Sequence, residues 1–365
     1  MTRLLLLTAS IFIAWNLQAQ TPHPPYPYHS DSVEYDNADK SVHLAATLTY
    51  PEKGGPFPAA ILITGSGTQD RDETLFGHRP FAVIADYLTR RGYAVLRVDD
   101  RNAGLSTGDV YHATTADFAK DVETSFHWLK MQKQVDPTKI GLIGHSEGAM
   151  IAPMVAAQNN DIAFIINLAG ALDGYRTLMY QTLEPLRRSH TGDLLIGFAM
   201  FKERMFLDNM KLATDSAGFM QRVTHDYEAY YAAIPDSMRS QYAFVPKPDV
   251  FLHALAPIAN HLVAPWWKFF ITTDLTPYYE KVRCPVLLLG GDKDIQVDNA
   301  TDMTAIASIL KDHNDKNVET HLVPGLNHFF QHCHSCAVQE YGKLEETFAP
   351  EVLQLMADWL DKTIR

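Results

Sequence analysis

Six short apolar runs set the main constraint on this chain: residues 59–64, 94–98, 140–143, 162–168, 285–289 and 320–323. Each is a strand-length block with little polar alternation, which is the pattern of strands buried on both faces, as in a parallel sheet. Helical periodicity separates most of them. Phe118, Val122, Phe126 and Leu129 recur at helical spacing behind Thr114, with Asp117 three residues on as a capping pair, and Val352, Leu355, Met356, Trp359 and Leu360 mark a final helix. Parallel strands need long crossovers, and the helices that make them cover both faces of the sheet. Residues 32–36 and 41–49 alternate in strand fashion around Asn37-Ala38-Asp39-Lys40, which predicts an N-terminal hairpin after the Pro-rich, non-helical stretch 21–27. The expected class is α/β, a mostly parallel central sheet flanked by helices.

The alternation stops once. Residues 171–283 are rich in Met, Phe, Tyr and Leu at helical spacing, carry no clear strand, and are far longer than an ordinary connection. They read as an inserted helical domain. The aromatic residues Trp266, Trp267, Phe269, Phe270, Tyr278 and Tyr279, and Met200, Met205, Met210 and Met220, are read mainly as helix packing. At the N-terminus Arg3 precedes an apolar run over residues 4–15 and a polar stretch ending in Ala19, the parts of a secretory signal peptide. No other segment reaches the roughly 20 apolar residues that a membrane span requires. The expected organisation is therefore 1–19 signal peptide, 20–170 first core segment, 171–283 helical cap insertion and 284–365 second core segment, in an exported protein without a membrane span after cleavage.

Net charge is −12, from 43 acidic against 31 basic residues, with no Lys/Arg run, so nucleic acid is not an expected partner. Export permits disulfides, and of the three cysteines Cys333 and Cys336 form a C-x-x-C pair that predicts a local disulfide, while Cys284 opens an apolar run and reads as a buried thiol. His328, His332 and His334 lie near that pair, but the spacing matches no finger pattern, so no metal is expected. No G-x-G-x-x-G or P-loop follows a strand, so no cofactor is expected either.

Gly144-His145-Ser146-Glu147-Gly148 is a G-x-S-x-G directly after one apolar run and directly before a helical segment. That context makes Ser146 a candidate nucleophile on a sharp strand-to-helix turn, with the N–H of Glu147 aimed at a developing oxyanion. A second oxyanion donor is expected from Gly65-Ser66-Gly67, the loop after the first central strand, at the N–H of Ser66. A serine needs a base, and this architecture orders the partners Ser, acid, His, each after a later strand. His328, in a Pro/Gly loop past the last strand, is the candidate base; His145 is too near Ser146 in sequence and His321 lies within a strand. Asp292 and Asp294 both follow the 285–289 run, and position alone leaves them as alternatives. The cluster Asp70-Arg71-Asp72-Glu73 reads as an ion-pair knot holding the oxyanion loop, and Glu147 is expected to have a cationic partner, Arg71 or Arg101.

Residues 62–73, Arg97-Val98-Asp99-Asp100-Arg101, Gly144-His145-Ser146-Glu147-Gly148, residues 291–297 and Gly325-Leu326-Asn327-His328, in that order, resemble the secreted bacterial esterase-type α/β-hydrolases, which are grouped with serine aminopeptidases and prolyl-oligopeptidase-like enzymes. The resemblance implies an α/β-hydrolase fold, a Ser/Asp/His triad and a helical cap. Its G-x-x-D-x-Q-V pattern falls on Asp294, which makes Ser146, Asp294 and His328 the implied triad. The chain departs from the family at Asn102 and Ala149, where glycine is usual. The expected activity is serine hydrolysis of a small carboxylic ester through an acyl-enzyme, with a serine peptidase acting on short peptides as the alternative.

Overall fold

A computed structural model describes residues 20–239, 246–314 and 317–365; the expected signal peptide lies outside them. The strands are β1 (Tyr28–Asp36), β2 (His43–Pro51), β3 (Phe57–Ile63), β4 (Ala94–Val98), β5 (Val135–His145), β6 (Ile165–Leu168), β7 (Val286–Gly291) and β8 (Val318–Val323). They form one sheet in the order β1-β2-β4-β3-β5-β6-β7-β8. The hairpin β1–β2 and the β2–β4 pair are antiparallel, and every pairing from β4 onward is parallel. All six apolar runs are strands. β5 starts five residues before its run, because Val135 pairs with Phe57 ahead of a register shift between Phe57 and Ala59.

The chain divides into two compact units. Among the described residues, the first comprises 20–110, Ala116–Leu172 and Leu275–Arg365 and holds the whole sheet. Its helices are α1 (Pro80–Arg90), α2 (Thr115–Lys130) and α3 (Glu147–Ala156), with α11 (Thr276–Tyr279), α12 (Asn299–Asn314) and α13 (Pro350–Thr363) in its last segment. Successive side chains of a strand point to opposite faces, so each strand serves two cores. Ala60, Leu62, Val95, Ile143, Ile166, Leu287 and Leu289 pack with Phe81, Ile84 and Leu88 of α1 and Val352, Met356, Trp359 and Leu360 of α13. On the other face, Leu44, Ile61 and Ile63 line a common space with Phe118 and Val122 of α2 and Ile151 of α3.

The second unit, Asp173–Asp274 with Tyr111–Thr115, carries α4 (Gly174–Arg188), α5 (Asp193–Leu212), α6 (Ser216–Ala233), α7 (Asp236–Arg239), α8 (Pro248–Leu255), α9 (Ala259–Leu262) and α10 (Pro265–Thr272). Asp173 and Asp215 cap their helices by accepting from the N–H groups of Arg176 (2.8 Å) and Gly218 (2.7 Å). Met205, Tyr227, Tyr230 and Ile234 form its core, and Tyr227 stacks on Phe251 with ring centroids 3.9 Å apart. Met210 is also buried and Trp266 stacks on Phe270, so packing accounts for much of the Met and aromatic content.

The boundaries differ from the sequence reading, which ran the insertion to residue 283. Residues 275–283 belong to the first unit, where Tyr279 is fully buried and its hydroxyl accepts from Asn167 Nδ2 at 3.0 Å. Residues Tyr111–Thr115, assigned from sequence to the core, fall with the helical unit. Among the described residues no helix is long and apolar enough to cross a membrane.

Phe164 is a sensitive point of the sheet core. Its ring is fully buried, meets Trp359 edge-on at 6.3 Å, and occupies the space a Cβ on Gly141 would need. Phe164→Ala is expected to cost about 3–5 kcal/mol, read as a lower urea midpoint with an unchanged m-value.

Candidate active site

Position in the sheet determines where a site can lie. The chain leaves β3 through α1 to β4 on one side, then returns through α2 to β5 on the other side of β3. Connections diverging in this way open a crevice beyond the carboxyl ends of the two strands. Gly65 and Ser66 follow β3, Ser146 follows β5, Asp294 follows β7 and His328 follows β8, so every sequence-derived candidate lies at the carboxyl end of a strand.

Ser146 is held there by two close approaches. A Cβ on Gly144 would overlap the Gly148 carbonyl, and a Cβ on Gly148 would overlap that of Ile63. Only glycine lets strand, turn and helix come so near. Between them Ser146 adopts φ 53° and ψ −115° at the N-cap of α3, a conformation that costs a non-glycine residue on the order of 1–3 kcal/mol. Its N–H donates to the Leu168 carbonyl (2.9 Å) and its carbonyl accepts from the Ala149 N–H (3.1 Å).

The structure brings Asp294 and His328 together, with Asp294 Oδ2 2.7 Å from His328 Nδ1. Asp294 also accepts from the N–H groups of Gln296 (2.7 Å) and Val297 (3.0 Å) at Oδ1 and from Asn299 Nδ2 (2.9 Å) at Oδ2. A carboxylate that accepts from these donors assigns a proton to His328 Nδ1. Asp292 has different work. Its Oδ1 accepts from the Gly325 N–H at 2.6 Å and so braces the turn before His328. The fully buried Asn327 secures that loop, its Oδ1 accepting from the N–H groups of Phe329 (2.9 Å) and Gln331 (3.0 Å). Cys333 and Cys336 are disulfide-bonded, and the Cys333 N–H donates to the Gly325 carbonyl (3.2 Å).

The loop carrying Ser66 lies beside the Ser146 turn, since a Cβ on Gly65 would stand 3.2 Å from Ser146 Cβ. Gly67 has φ +103°, and Gln69 Nε2 donates to the Ser66 carbonyl at 3.0 Å. Beneath the loop, Asp100 accepts from Thr64 Oγ1 (2.7 Å) and the Gln69 N–H (2.9 Å). Burial pushes the Asp100 carboxyl well above the usual carboxylate range, although those hydrogen bonds favour the charged form.

The acidic and basic residues of the 70–73 cluster all anchor this loop. Asp70 Oδ1 accepts from the N–H groups of Asp72 and Thr74, and Arg71 pairs with Asp99 at 2.6 Å. Asp72 pairs with both Arg79 and Arg97. Glu73 Oε1 accepts from the Gly65 N–H at 2.7 Å and meets His145 Nδ1 at 2.9 Å. The two arginines expected from sequence as partners of Glu147 are held by other carboxylates: Arg71 by Asp99, with Thr47, and Arg101 by Asp121 at 2.6 Å. Asn102 has φ +63°, in the left-handed region that Asn tolerates, and Ala149 is fully buried in α3.

Sequence reasoning missed the contact between Glu73 and His145, and the parts played by Asn299 and Asn327. The first joins the ends of two strands, whereas Asn299 bonds to Asp294 and Asn327 to Phe329 and Gln331 a few residues away; the only signal in the sequence was the proximity of these residues to the motifs themselves.

The family described as X-Pro dipeptidyl-peptidase (S15 family) matches residues 39–307. Esterase EstD of Thermotoga maritima is 32% identical over 143 residues, 39% of this chain and 34% of that protein. An acyl transferase of Photobacterium phosphoreum is 29% identical over 153 residues, 41% of this chain and 47% of that one. The chain thus spans between a third and a half of the length of these curated relatives. Among solved structures, a Pyrococcus furiosus esterase superposes with a TM-score of 0.54 at 18% identity, covering 93% of this chain and 92% of that one. A hypothetical protein of Pseudomonas aeruginosa does so with a TM-score of 0.57 at 16% identity, covering 94% and 96%. At those identities the likeness concerns the fold, which is that of the α/β-hydrolases.

Two outcomes are expected from these contacts. Asp72→Asn leaves the largely buried Arg97 without its charge partner and is expected to lower unfolding free energy by about 3–5 kcal/mol, measured by urea titration. Burial pushes the Cys284 thiol up to about 12, so Ellman's reagent should find no thiol in the native protein. It should find one after denaturation, and all three only after reduction as well.

Proposed function

The chain belongs to the X-Pro dipeptidyl-peptidase (S15) family, and from that premise we propose that it is a serine hydrolase that cleaves small carboxylic esters with Ser146, His328 and Asp294. The observation that carries this reading is the 2.7 Å contact of His328 Nδ1 with a buried carboxylate, at the same end of the sheet as a serine on a strained, glycine-flanked turn. His328 Nε2 takes the Ser146 proton as Oγ attacks the carbonyl carbon. Asp294 holds the ring and offsets the charge of the imidazolium. The oxyanion is received by the N–H groups of Ser66 and Glu147, the second at the start of α3, where the helix dipole favours negative charge. The proton then passes to the leaving alcohol, the acyl-enzyme forms, and water attacks it by the same steps in reverse.

The ester preference is supported by the esterase and acyl transferase names of the matched relatives. The family description sustains the peptidase alternative. We assign substrate choice to the helical insertion, which leaves the chain beyond the carboxyl end of β6, the end of the sheet that carries the triad. An exported protein is supported by the apolar segment at residues 4–15 and by the Cys333–Cys336 bond.

The test is a panel of p-nitrophenyl esters of graded chain length beside aminoacyl and prolyl anilides. Ester turnover, lost in Ser146→Ala and falling by about 10⁴-fold in Asp294→Asn, is expected, with Asp292→Asn far milder. Anilide cleavage with silent esters would replace the esterase reading by the peptidase one, and activity retained in Ser146→Ala would refute the mechanism.

A further inference from the structure

We propose that Glu73 and His145 form a buried ion pair that positions the active site, tying the Ser66 loop, the Ser146 turn and the His328 loop to one another. The inference rests on the serine hydrolase reading and adds two positioning residues to it. His145 occupies the first variable position of the G-x-S-x-G motif, yet its ring turns away from chemistry: Nδ1 lies 2.9 Å from Glu73 Oε1 and Nε2 lies 3.0 Å from the His328 carbonyl oxygen. Both neighbours are acceptors. A neutral imidazole carries one N–H, so only the imidazolium satisfies both contacts. The same Glu73 oxygen accepts the Gly65 N–H at 2.7 Å, one residue before the proposed oxyanion donor.

One charge pair therefore reaches three strand ends. The His145 and Glu73 side chains are 5% and 2% exposed, and Phe329 lies edge-on to the His145 ring at 5.3 Å, which keeps water out. Burial works against the charged ring, but the Glu73 carboxylate outweighs it and holds His145 above the ordinary imidazole range. The ionisable groups that face it are Glu73 from the loop before α1, Asp294 from the loop after β7 and His328 from the loop after β8, whose ring centroid is 4.9 Å away. Replacing a buried pair with apolar residues is often neutral or favourable for stability, so the pair's contribution lies elsewhere. What it supplies is register between loops that share no covalent neighbour, where a displacement of about 1 Å can lower a rate 10²-fold.

The experiment compares wild type, Glu73→Ala and Glu73→Gln for p-nitrophenyl ester turnover, with kcat counted per Ser146 that a fluorophosphonate probe labels. Glu73→Ala is expected to lower kcat about 10²-fold with KM unchanged, and Glu73→Gln, which keeps an oxygen for the Gly65 N–H, to recover part of that loss. Equal kcat per labelled site in Glu73→Ala, or a loss confined to KM or to the labelled fraction, overturns the proposal. In the unaltered protein, nitrogen NMR should find both His145 ring nitrogens still protonated near pH 7, above the ordinary imidazole value near 6.5. A neutral His145 ring near pH 7 overturns the proposal whether or not the variants fold. A wild type that turns over neither ester nor anilide and takes no probe refutes the hydrolase reading instead, and the ring-nitrogen measurement then still decides the ion pair.

Discussion

The contact of Gly144 with Gly148, and of Gly148 with Ile63, is the constraint on which the rest of the site depends. It sets α3 against β3 and β5 at a distance no side chain permits, and the strained turn of Ser146 follows from it. The strain persists because both ends are over-determined: β5 is paired on both sides, and α3 is buried along its whole length. The topology then brings the Gly65 loop alongside, since β3 and β5 are neighbours in the sheet although 71 residues lie between the end of one and the start of the other.

Around that turn the polar chemistry is built mainly from buried carboxylates, each surrounded by donors. Asp294 gathers two backbone N–H groups, an amide and an imidazole; Asp72 gathers two guanidinium groups; Glu73 gathers an amide N–H and His145. Buried charge is tolerated when it is paired and hydrogen-bonded, and removal of one partner leaves the other in a medium that cannot solvate it. The dense charge of residues 70–73 is thus a framework for the Ser66 loop. Asp292 and Asp294, two residues apart, divide the labour in the same manner, one bracing the turn before His328 and the other meeting its ring.

The helical unit is organised by different forces. Its core is aromatic and methionine-rich, with Tyr227 stacked on Phe251 and Met205 packed beside Tyr230 and Ile234, and Asp173 and Asp215 start two of its helices. Such packing tolerates substitution more readily than the glycine contacts under Ser146 do. In the proposed function this is the part of the chain free to diverge with substrate.

Local pattern was enough to identify the parallel sheet, the N-terminal hairpin, the long helical insertion and the sharp turn at Ser146, because each is encoded over a few consecutive residues: apolar runs, a 3.6-residue period, glycines flanking a serine. The Cys333–Cys336 pairing was legible for the same reason, with only three residues of separation. Tertiary structure alone decided what depends on distant segments converging. Position left Asp292 and Asp294 as alternatives and the family resemblance pointed to Asp294; what each carboxylate touches, the Gly325 N–H or the His328 ring, depends on the loop after β8. Arg71 and Arg101, read from sequence as partners for Glu147, pair with Asp99 and Asp121, which the fold brings to them. Residues 275–283 continued the helical pattern of the insertion, yet Tyr279 is buried with the sheet unit and hydrogen-bonded to Asn167. His145, set aside as too close to Ser146 to act on it, joins Glu73 to the His328 loop across 72 and 183 residues of chain. Periodicity reports which side of an element is buried, whereas the partner of a buried charge depends on which strand ends meet, and that is a property of the folded sheet.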